Sequence, residues 1–168
     1  MEHRAYIGVG SNQGKKEDNC RRAVREIGRM PRTRVREVST WFVTEPWGAA
    51  SAEWYVNGVA AVDTGLEPET LLQHCQALER EMGRQPSPVR WADRIIDLDI
   101  LLFDDMVLEG PELTIPHPEL HRRRFVLVPL CEIAPDLKHA RLGSEMRELL
   151  ARVEDGKRVR ELASPRGA

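Results

Sequence analysis

The sequence has few cysteines and no long apolar run. Its three cysteines, Cys20, Cys75 and Cys131, lie far apart and form no Cys-x-x-Cys pair, which argues against a disulfide framework and against a cysteine zinc site. No apolar stretch approaches the roughly 20 residues that span a bilayer, and the first residues do not have the pattern of a signal peptide. We therefore expect a cytoplasmic protein with reduced thiols and no membrane partner.

An excess of charge of one sign is also lacking. With 25 lysines and arginines against 27 aspartates and glutamates, the formal net charge is −2, which argues against nucleic acid as the partner. The 168 residues are 41% hydrophobic and 31% charged, a composition typical of a globular protein. We expect a single domain over residues 1–168 and a monomer, with a weak dimer left open.

Hydrophobic periodicity predicts four strands and two helices. The expected strands are Arg4 to Gly8, Val35 to Thr44, Trp54 to Asp63 and Ile95 to Phe103, and the expected helices are Lys16 to Met30 and Pro68 to Met82. The order strand–helix–strand–strand–helix–strand is that of a ferredoxin-like α+β fold, with a mainly antiparallel sheet and helices packed on it. Extra helices are expected at Arg124 to Ile133 and Glu145 to Val153, and Met106 to Leu108 is expected to pair with the fourth strand. The tail after Asp155 is too polar to assign.

Two aspartates, Asp97 and Asp99, interrupt an apolar strand. Residues two apart on a strand face the same side and lie about 6.6 Å apart, so both carboxylates are expected on one face, with Leu98, Ile100 and Leu102 against the core. Aspartate is disfavoured in strands, so a packing role does not explain the pair. Paired carboxylates bind hard divalent metals, such as the magnesium of a nucleotide complex. An ordinary solvent-exposed strand face remains the alternative.

The loop before this strand is rich in arginine. Arg84, Arg90 and Arg94 lie in it beside Trp91, and guanidinium groups bind phosphate oxygens bidentately. Arginines next to paired carboxylates are the arrangement of a phosphoryl-transfer site, with metal on one side and arginine on the other. A solvated loop stiffened by prolines is the alternative. Because the loop has no hydrophobic periodicity, we expect it to become ordered when substrates bind.

Other phosphate and metal motifs are not matched. The segment from Gly8 to Gln13 begins like a dinucleotide-binding fingerprint but has Gln13 in place of the third glycine, and its glycine spacing is too short for a P-loop. These glycines are expected to form a turn between the first strand and the first helix. His117 and His121 have the spacing of a helical zinc pair, but Pro118 follows His117. A structural hydrogen bond or a phosphate contact is therefore the preferred interpretation of His117.

Several short motifs, taken in order, resemble the 6-hydroxymethyl-7,8-dihydropterin pyrophosphokinase family. They are Gly10-Ser11-Asn12, Thr44 with Pro46 and Gly48, Tyr55-x-Asn57, Gly83-Arg84, Arg90-Trp91-x-x-Arg94-x-x-Asp97-Leu98-Asp99, Thr114-x-Pro116-His117, Arg123-x-Phe125, Pro129-Leu130 and Glu132-Ile133-Ala134-Pro135. The resemblance covers about residues 5–137. It implies an enzyme of folate biosynthesis that transfers the diphosphate of ATP to the hydroxymethyl group of a dihydropterin and leaves AMP.

The resemblance also implies a role for each matching residue. Asp97 and Asp99 are implied as ligands of two magnesium ions that bridge the ATP phosphates, and with Arg84 and Arg94 they are the implied catalytic residues. The residues implied at ATP are Arg84, Arg90, Trp91, Arg94, Ile100, His117 and Arg123. The residues implied at the pterin are Thr44, Pro46, Trp47, Tyr55, Asn57 and Phe125. Stacking between the rings of Tyr55 and Phe125, with hydrogen bonds from Asn57 and Thr44 to the rim, suits a flat molecule with a polar edge.

Two other functions fit some of these observations. A ferredoxin-like ligand-binding or regulatory module without catalysis would share the fold, but it gives the two aspartates no purpose. A metal-dependent phosphohydrolase or nuclease would use the two carboxylates. Such enzymes usually carry more acidic or histidine ligands, whereas the surplus groups here are arginines.

Overall fold

Six strands form one sheet in the computed structural model of the protein, which describes residues 3–46, 53–83 and 95–162. The strands in chain order are β1 (His3–Ser11), β2 (Thr33–Val38), β3 (Phe42–Thr44), β4 (Tyr55–Thr64), β5 (Asp97–Phe103), β6 (Leu108–Glu109), β7 (Thr114–Ile115) and β8 (Val159–Glu161). The order across the sheet is β5–β1–β4–β3–β8, with β2 also paired to β4, and these pairings are antiparallel. Strands β6 and β7 form a separate antiparallel pair.

Helices cover both faces of this sheet. The helices are α1 (Lys16–Ile27), α2 (Pro68–Glu81), α3 (Arg124–Ile133) and α4 (Met146–Arg152). Apolar side chains of α1 and α2 form one buried cluster with the sheet, and those of α3 and α4 form a second cluster on the opposite face. The ferredoxin-like fold predicted from the sequence is therefore confirmed, with the two C-terminal helices as additions. In the described part of the chain, no helix combines the length and the apolarity that crossing a membrane requires.

The sequence predicts one strand from Val35 to Thr44, but the structure contains two strands with a break at Ser39. There the Ser39 side chain accepts a hydrogen bond from Val59 N at 2.9 Å. Just beyond it, the Trp41 ring packs against Gly58, where an added Cβ would lie 2.6 Å from a ring carbon. The glycine admits the ring, and the strand is interrupted where the ring enters the core.

The prediction that Met106 to Leu108 pairs with β5 is wrong. Leu108 pairs with Ile115 of β7 instead. Directly after β5, Asp104 is tied to the start of β1: its backbone N–H donates to Arg4 O at 2.8 Å, and its carboxylate accepts a hydrogen bond from Arg4 N at 2.8 Å. The chain turns away from the sheet after this anchor.

Strand β5 contains a bulge that changes the face taken by its side chains. Ile100 lies opposite Ile7 and Leu102 lies opposite Tyr6, so Leu101 is an extra residue in the ladder. Before the bulge, Ile100 belongs to the cluster beneath α1 and α2, as predicted. After it, Leu102 belongs with Leu101 to the cluster beneath α3 and α4. The prediction that Leu102 faces the same core as Ile100 is therefore wrong.

Candidate active site

A cleft with about 680 Å³ of empty space, here called the main cleft, opens on the α3 side of the sheet. Two glycines of β1 form part of its floor. Gly8 and Gly10 are two residues apart in the strand, so the same face lacks a side chain at both positions. Gly10 lies opposite Asp97 on one neighbouring strand and opposite Asn57 on the other. The expectation that Gly10 forms a turn after the strand is wrong, since it lies within β1. The missing side chains leave space between β4 and β5.

The two carboxylates predicted to bind metal enter this cleft. Asp97 and Asp99 lie opposite Gly10 and Gly8, on the same face of β5, and both are half-buried. The strand lies at the edge of the sheet. Asp99 also lines a second cleft, with about 630 Å³ of empty space. Asp99 is therefore at the junction of two clefts.

The donor groups of this strand fit a hard divalent ion such as Mg²⁺, which prefers carboxylate and water oxygens. Two half-buried carboxylates at alternate positions of a paired strand offer such oxygens to an open cleft. Within residues 3–46, 53–83 and 95–162, no group of three or more Asp, Glu, His and Cys side chains is arranged to hold a metal. The carboxylates would thus supply part of a coordination shell and leave positions for water and phosphate oxygens.

Most of the residues predicted at the pterin line the main cleft. They are Thr44, Pro46, Tyr55, Asn57 and Phe125. Tyr55 and Asn57 alternate along β4, Thr44 ends β3, and Phe125 lies in the first turn of α3. The cleft therefore has one aromatic residue on the sheet side and one on the helix side, which suits a flat ring system.

The amide of Asn57 is held from two sides. Its Nδ2 donates a hydrogen bond to Thr44 Oγ1 at 2.6 Å, and the two residues are only 8% and 1% exposed. A Cβ at Gly10 would lie 2.3 Å from Asn57 Oδ1, so this position admits the amide only because it is a glycine. The hydrogen bond and the close approach together fix the orientation of Asn57 at the cleft wall.

His117 lines the second cleft and is neutral at physiological pH. Burial, followed by the charge of Arg123, lowers the pKa of His117 to about 4, although Glu119 and Asp97 act in the opposite direction. Its Nδ1 accepts a hydrogen bond from Glu119 N at 3.1 Å. In the neutral ring the proton is therefore on Nε2, which makes Nε2 a hydrogen-bond donor.

The second cleft combines an apolar lining with polar groups near Asp99. Leu72, Ile100 and Leu113 supply apolar surface, and His117 supplies a polar ring. Ile100 and His117 are two of the residues predicted at ATP. Asp99 thus connects a cleft lined by predicted pterin residues to one that contains predicted nucleotide residues.

Of the remaining predicted residues, Arg123 lies among the described residues and five others do not. Arg123 lines the main cleft, is 5% exposed, and has its guanidinium carbon 5.6 Å from the centre of the Phe125 ring. Trp47, Arg84, Arg90, Trp91 and Arg94 lie outside the described residues, as does most of the loop expected to order with substrates. The roles predicted for all of these residues stay predictions.

Sequence reasoning missed the glycine floor of this site and the contact that Glu79 makes with β5. The glycine floor was interpreted as a turn, although Gly8 and Gly10 have the two-residue spacing of a strand face. Glu79 of α2 supports the carboxylate pair from the opposite face of β5: its Oε2 accepts a hydrogen bond from Leu98 N at 2.8 Å. Glu79 is 7% exposed on the apolar side of a helix. The family resemblance implies that Glu79, like Trp91 and Ile100, lines the combined site, but it does not indicate this contact with the backbone of β5.

Comparisons with known sequences give consistent results. The model of the 7,8-dihydro-6-hydroxymethylpterin-pyrophosphokinase (HPPK) family matches residues 6–135. The 2-amino-4-hydroxy-6-hydroxymethyldihydropteridine pyrophosphokinase of Pseudomonas aeruginosa is 42% identical over 151 residues, covering 90% of this chain and 92% of that protein. The protein of the same name from Bacillus subtilis is 37% identical over 145 residues, covering 86% of each. The folic acid synthesis protein fol1 of Schizosaccharomyces pombe is 39% identical over 146 residues, covering 87% of this chain and 20% of that protein.

Solved structures show the same fold. A crystal structure of an HPPK-DHPS protein in complex with substrates superposes with a TM-score of 0.70 at 13% identity, covering 90% of this chain and 43% of that one. The A437G variant of Plasmodium falciparum HPPK-DHPS gives a TM-score of 0.71 at 15% identity, covering 89% of this chain and 45% of that one. This chain spans less than half the length of both proteins, and at these identities the likeness concerns the fold.

Proposed function

The chain belongs to the HPPK family, and we infer that it transfers the diphosphate of ATP to the hydroxymethyl group of 6-hydroxymethyl-7,8-dihydropterin. The products are AMP and the dihydropterin diphosphate, and the reaction is a step of folate biosynthesis. The observation that carries this proposal is the meeting of two clefts at Asp99. A transferase needs both substrates beside one metal-binding group, and the two clefts offer two spaces beside Asp99, which is proposed as a metal ligand.

The main cleft is proposed to bind the dihydropterin. Its flat ring would lie between Tyr55 and Phe125, where aromatic stacking recognises the faces of the ring. The rim of a pterin carries hydrogen-bond donors and acceptors, which match the amide of Asn57 and the hydroxyl of Thr44. Support comes from the 2.6 Å hydrogen bond between these two side chains, which fixes their positions before substrate binds.

The second cleft and the edge of β5 are proposed to bind ATP. Ile100 would contact the nucleotide, and His117 Nε2 would donate a hydrogen bond to a phosphate oxygen. The Arg123 guanidinium, which lines the main cleft, would donate to the phosphates from that side. The neutral state of His117 keeps Nδ1 available to accept from Glu119 N and leaves Nε2 as the donor. Arg84, Arg90, Trp91 and Arg94 are proposed to complete the phosphate-binding groups, with Arg84 and Arg94 also acting on the transferred phosphate.

Asp97 and Asp99 are proposed to hold two Mg²⁺ ions. Bound magnesium would neutralise the phosphate charge that builds during transfer. In the reaction, the hydroxymethyl oxygen attacks the β-phosphorus of ATP, and the bond from that phosphorus to the bridging oxygen of the α-phosphate breaks. AMP leaves with the bridging oxygen, and the hydroxyl proton passes to water. The contribution of the protein is to hold the two reacting groups in line, which requires no strong base.

We also propose that residues 1–168 form one domain and that the protein is cytoplasmic. Pairing of β8 with β3 brings the end of the described chain into the sheet formed by its beginning, which supports a single unit. Cys20, Cys75 and Cys131 are all unpaired thiols, as expected for a reducing compartment.

The test is an assay of the purified protein with ATP, magnesium and 6-hydroxymethyl-7,8-dihydropterin, with nucleotides separated by chromatography. We expect AMP to form only when the dihydropterin is present. Asp97→Asn, which keeps the size of the side chain but removes its charge, is expected to lower turnover by about a hundredfold or more. Asp105→Asn, at an exposed turn after β5, is the matched control and should turn over like the wild type.

Each other outcome has a distinct meaning. ADP or inorganic phosphate in place of AMP would favour a phosphohydrolase, and the absence of any nucleotide product would favour a ligand-binding module. If Asp97→Asn kept wild-type turnover at saturating magnesium, the metal role of Asp97 would be wrong. Circular dichroism of both variants checks that neither substitution unfolds the protein.

A further inference from the structure

Arg158, directly before β8, contacts two residues that border the main cleft region. Glu45 directly follows β3 and lines the cleft, and Trp54 directly precedes β4. Their neighbours Thr44 and Tyr55 are proposed to bind the dihydropterin. The ends of these two strands are paired through Thr44 and Tyr55. Any group that joins Glu45 to Trp54 therefore acts on the geometry of this wall.

The backbone of Arg158 holds the Glu45 side of this wall. Glu45 N donates a hydrogen bond to Arg158 O at 2.9 Å, and Arg158 N donates one to Glu45 Oε1 at 2.9 Å. The second bond stabilises the ionised carboxylate and is the largest cause of the lowered pKa of Glu45. Glu45 is thus fixed as an anion by the segment that leads into β8.

The side chain of Arg158 reaches the Trp54 side. Its guanidinium carbon lies 4.9 Å from the centre of the Trp54 ring, while its Nε is 3.6 Å from Glu45 Oε1. Arg160 lies over the same ring at 5.5 Å. On the other side, Lys16 Nζ donates a hydrogen bond to Trp54 O at 2.8 Å, which anchors the backbone of Trp54. Arg158 therefore links a carboxylate at the end of β3 to an aromatic ring at the start of β4.

We propose that Arg158 is a positioning residue for dihydropterin binding, because it fixes Glu45 relative to Trp54 and with them the ends of β3 and β4. Arg158 does not line the cleft, so it acts through these two neighbours. The inference rests on the proposed function, which places Thr44 and Tyr55 at the dihydropterin. The side chain of Arg158 affects the main cleft and not the second cleft, which is lined by residues of other elements.

The test compares Arg158→Ala and Arg158→Lys with the wild type by steady-state kinetics, varying each substrate in turn. Arg158→Ala is expected to raise the KM for the dihydropterin about three- to tenfold, because it removes one cation–π contact and one ion pair. The KM for ATP and kcat are expected to change by less than about twofold. Arg158→Lys should recover part of the loss, since lysine keeps the charge but lacks the planar group.

Two further variants separate positioning from general stability. Arg152→Ala removes an exposed arginine of α4 that pairs with Glu148, and it should leave all kinetic constants unchanged. Combining Arg158→Ala with Trp54→Ala should raise the KM for the dihydropterin by less than the product of the two single effects, because the residues act as one pair.

The outcomes distinguish this inference from the function on which it rests. A wild-type protein that forms no AMP removes the proposed function and this inference with it. A wild type that forms AMP, with an unchanged dihydropterin KM in Arg158→Ala, overturns the inference alone. Equal losses for both substrates, or multiplicative effects in the double variant, would also overturn it.

Discussion

Gly10 shows how one residue sets the space available in the cleft. It lies on β1 between Asn57 and Asp97, the residues proposed to contact the dihydropterin and the metal. A Cβ at this position would lie 2.3 Å from Asn57 Oδ1, far inside the roughly 3.5 Å of ordinary van der Waals contact. Its φ is not positive, so glycine is required here by the approach of the amide and not by backbone strain.

Gly10→Ala is expected to raise the KM for the dihydropterin about tenfold or more, because the new methyl group displaces Asn57 from Thr44. The KM for ATP should change less. Gly8→Ala is the matched comparison on the same strand face: its Cβ would meet Leu101 at 3.5 Å, an ordinary contact, so a smaller effect is expected. Initial rates with each substrate varied measure both variants. Equal effects of the two alanines would contradict the argument from Asn57.

At the scale of helices and strands, local periodicity predicts most elements and tertiary contacts decide the rest. Helix α2 begins at Pro68 as predicted and ends within one residue of its predicted end at Met82. Both Pro68 at the start and the apolar spacing along the helix are local signals. The run from Ile100 to Phe103 is apolar at every position, so its alternation cannot reveal the bulge at Leu101. Strand β8 is short and polar, so its own sequence does not indicate a strand. It is a strand because it pairs with β3.

The candidate site divides in the same way. The pairing of Asp97 with Asp99 could be predicted, because the two-residue spacing is a property of any strand. The hydrogen bond from Leu98 N to Glu79 joins residues 19 positions apart on different elements, and no periodicity indicates it. This bond ties α2 to the backbone of β5 between the two aspartates.

The link between α2 and β5 is testable with two substitutions at Glu79. Glu79→Leu removes the acceptor and leaves the buried Leu98 N–H without it, which is expected to cost about 1–3 kcal/mol of stability and to lower kcat by moving Asp97 and Asp99. Glu79→Gln keeps a carbonyl oxygen as acceptor, so it should lose less stability and less kcat than Glu79→Leu. Urea unfolding and the AMP assay measure the two effects. A leucine variant with wild-type stability and kcat would show that the bond does not hold β5 in place.

The whole molecule depends on strands that serve both faces of the sheet. Ile7 of β1 belongs to the cluster beneath α1 and α2, while its neighbour Tyr6 belongs to the cluster beneath α3 and α4. Opening β1 would therefore expose both apolar clusters. We expect the described part of the chain to unfold in one cooperative transition, so that the titration of a buried group is reflected in the overall free energy of unfolding.

His117 is such a group. Its ordinary pKa is 6.5, and burial together with Arg123 lowers the pKa in the folded protein to about 4. Between these two pH values the unfolded chain binds a proton that the folded protein does not bind. The contribution of His117 to the free energy of unfolding is therefore complete above about pH 6.5 and is lost as the pH falls towards about 4. The full shift corresponds to about 3 kcal/mol.

His117→Gln removes this titration while keeping a side chain that can accept from Glu119 N. Between about pH 7.5 and about pH 4.5, its free energy of unfolding should fall by about 1–3 kcal/mol less than that of the wild type. Urea unfolding at several pH values measures this, with each protein referred to its own value at the highest pH so that lost packing cancels. His139, whose pKa burial also lowers, is present in both proteins and does not affect the difference. If the curves of free energy of unfolding against pH were parallel for the two proteins, folding would leave the pKa of His117 near its ordinary value.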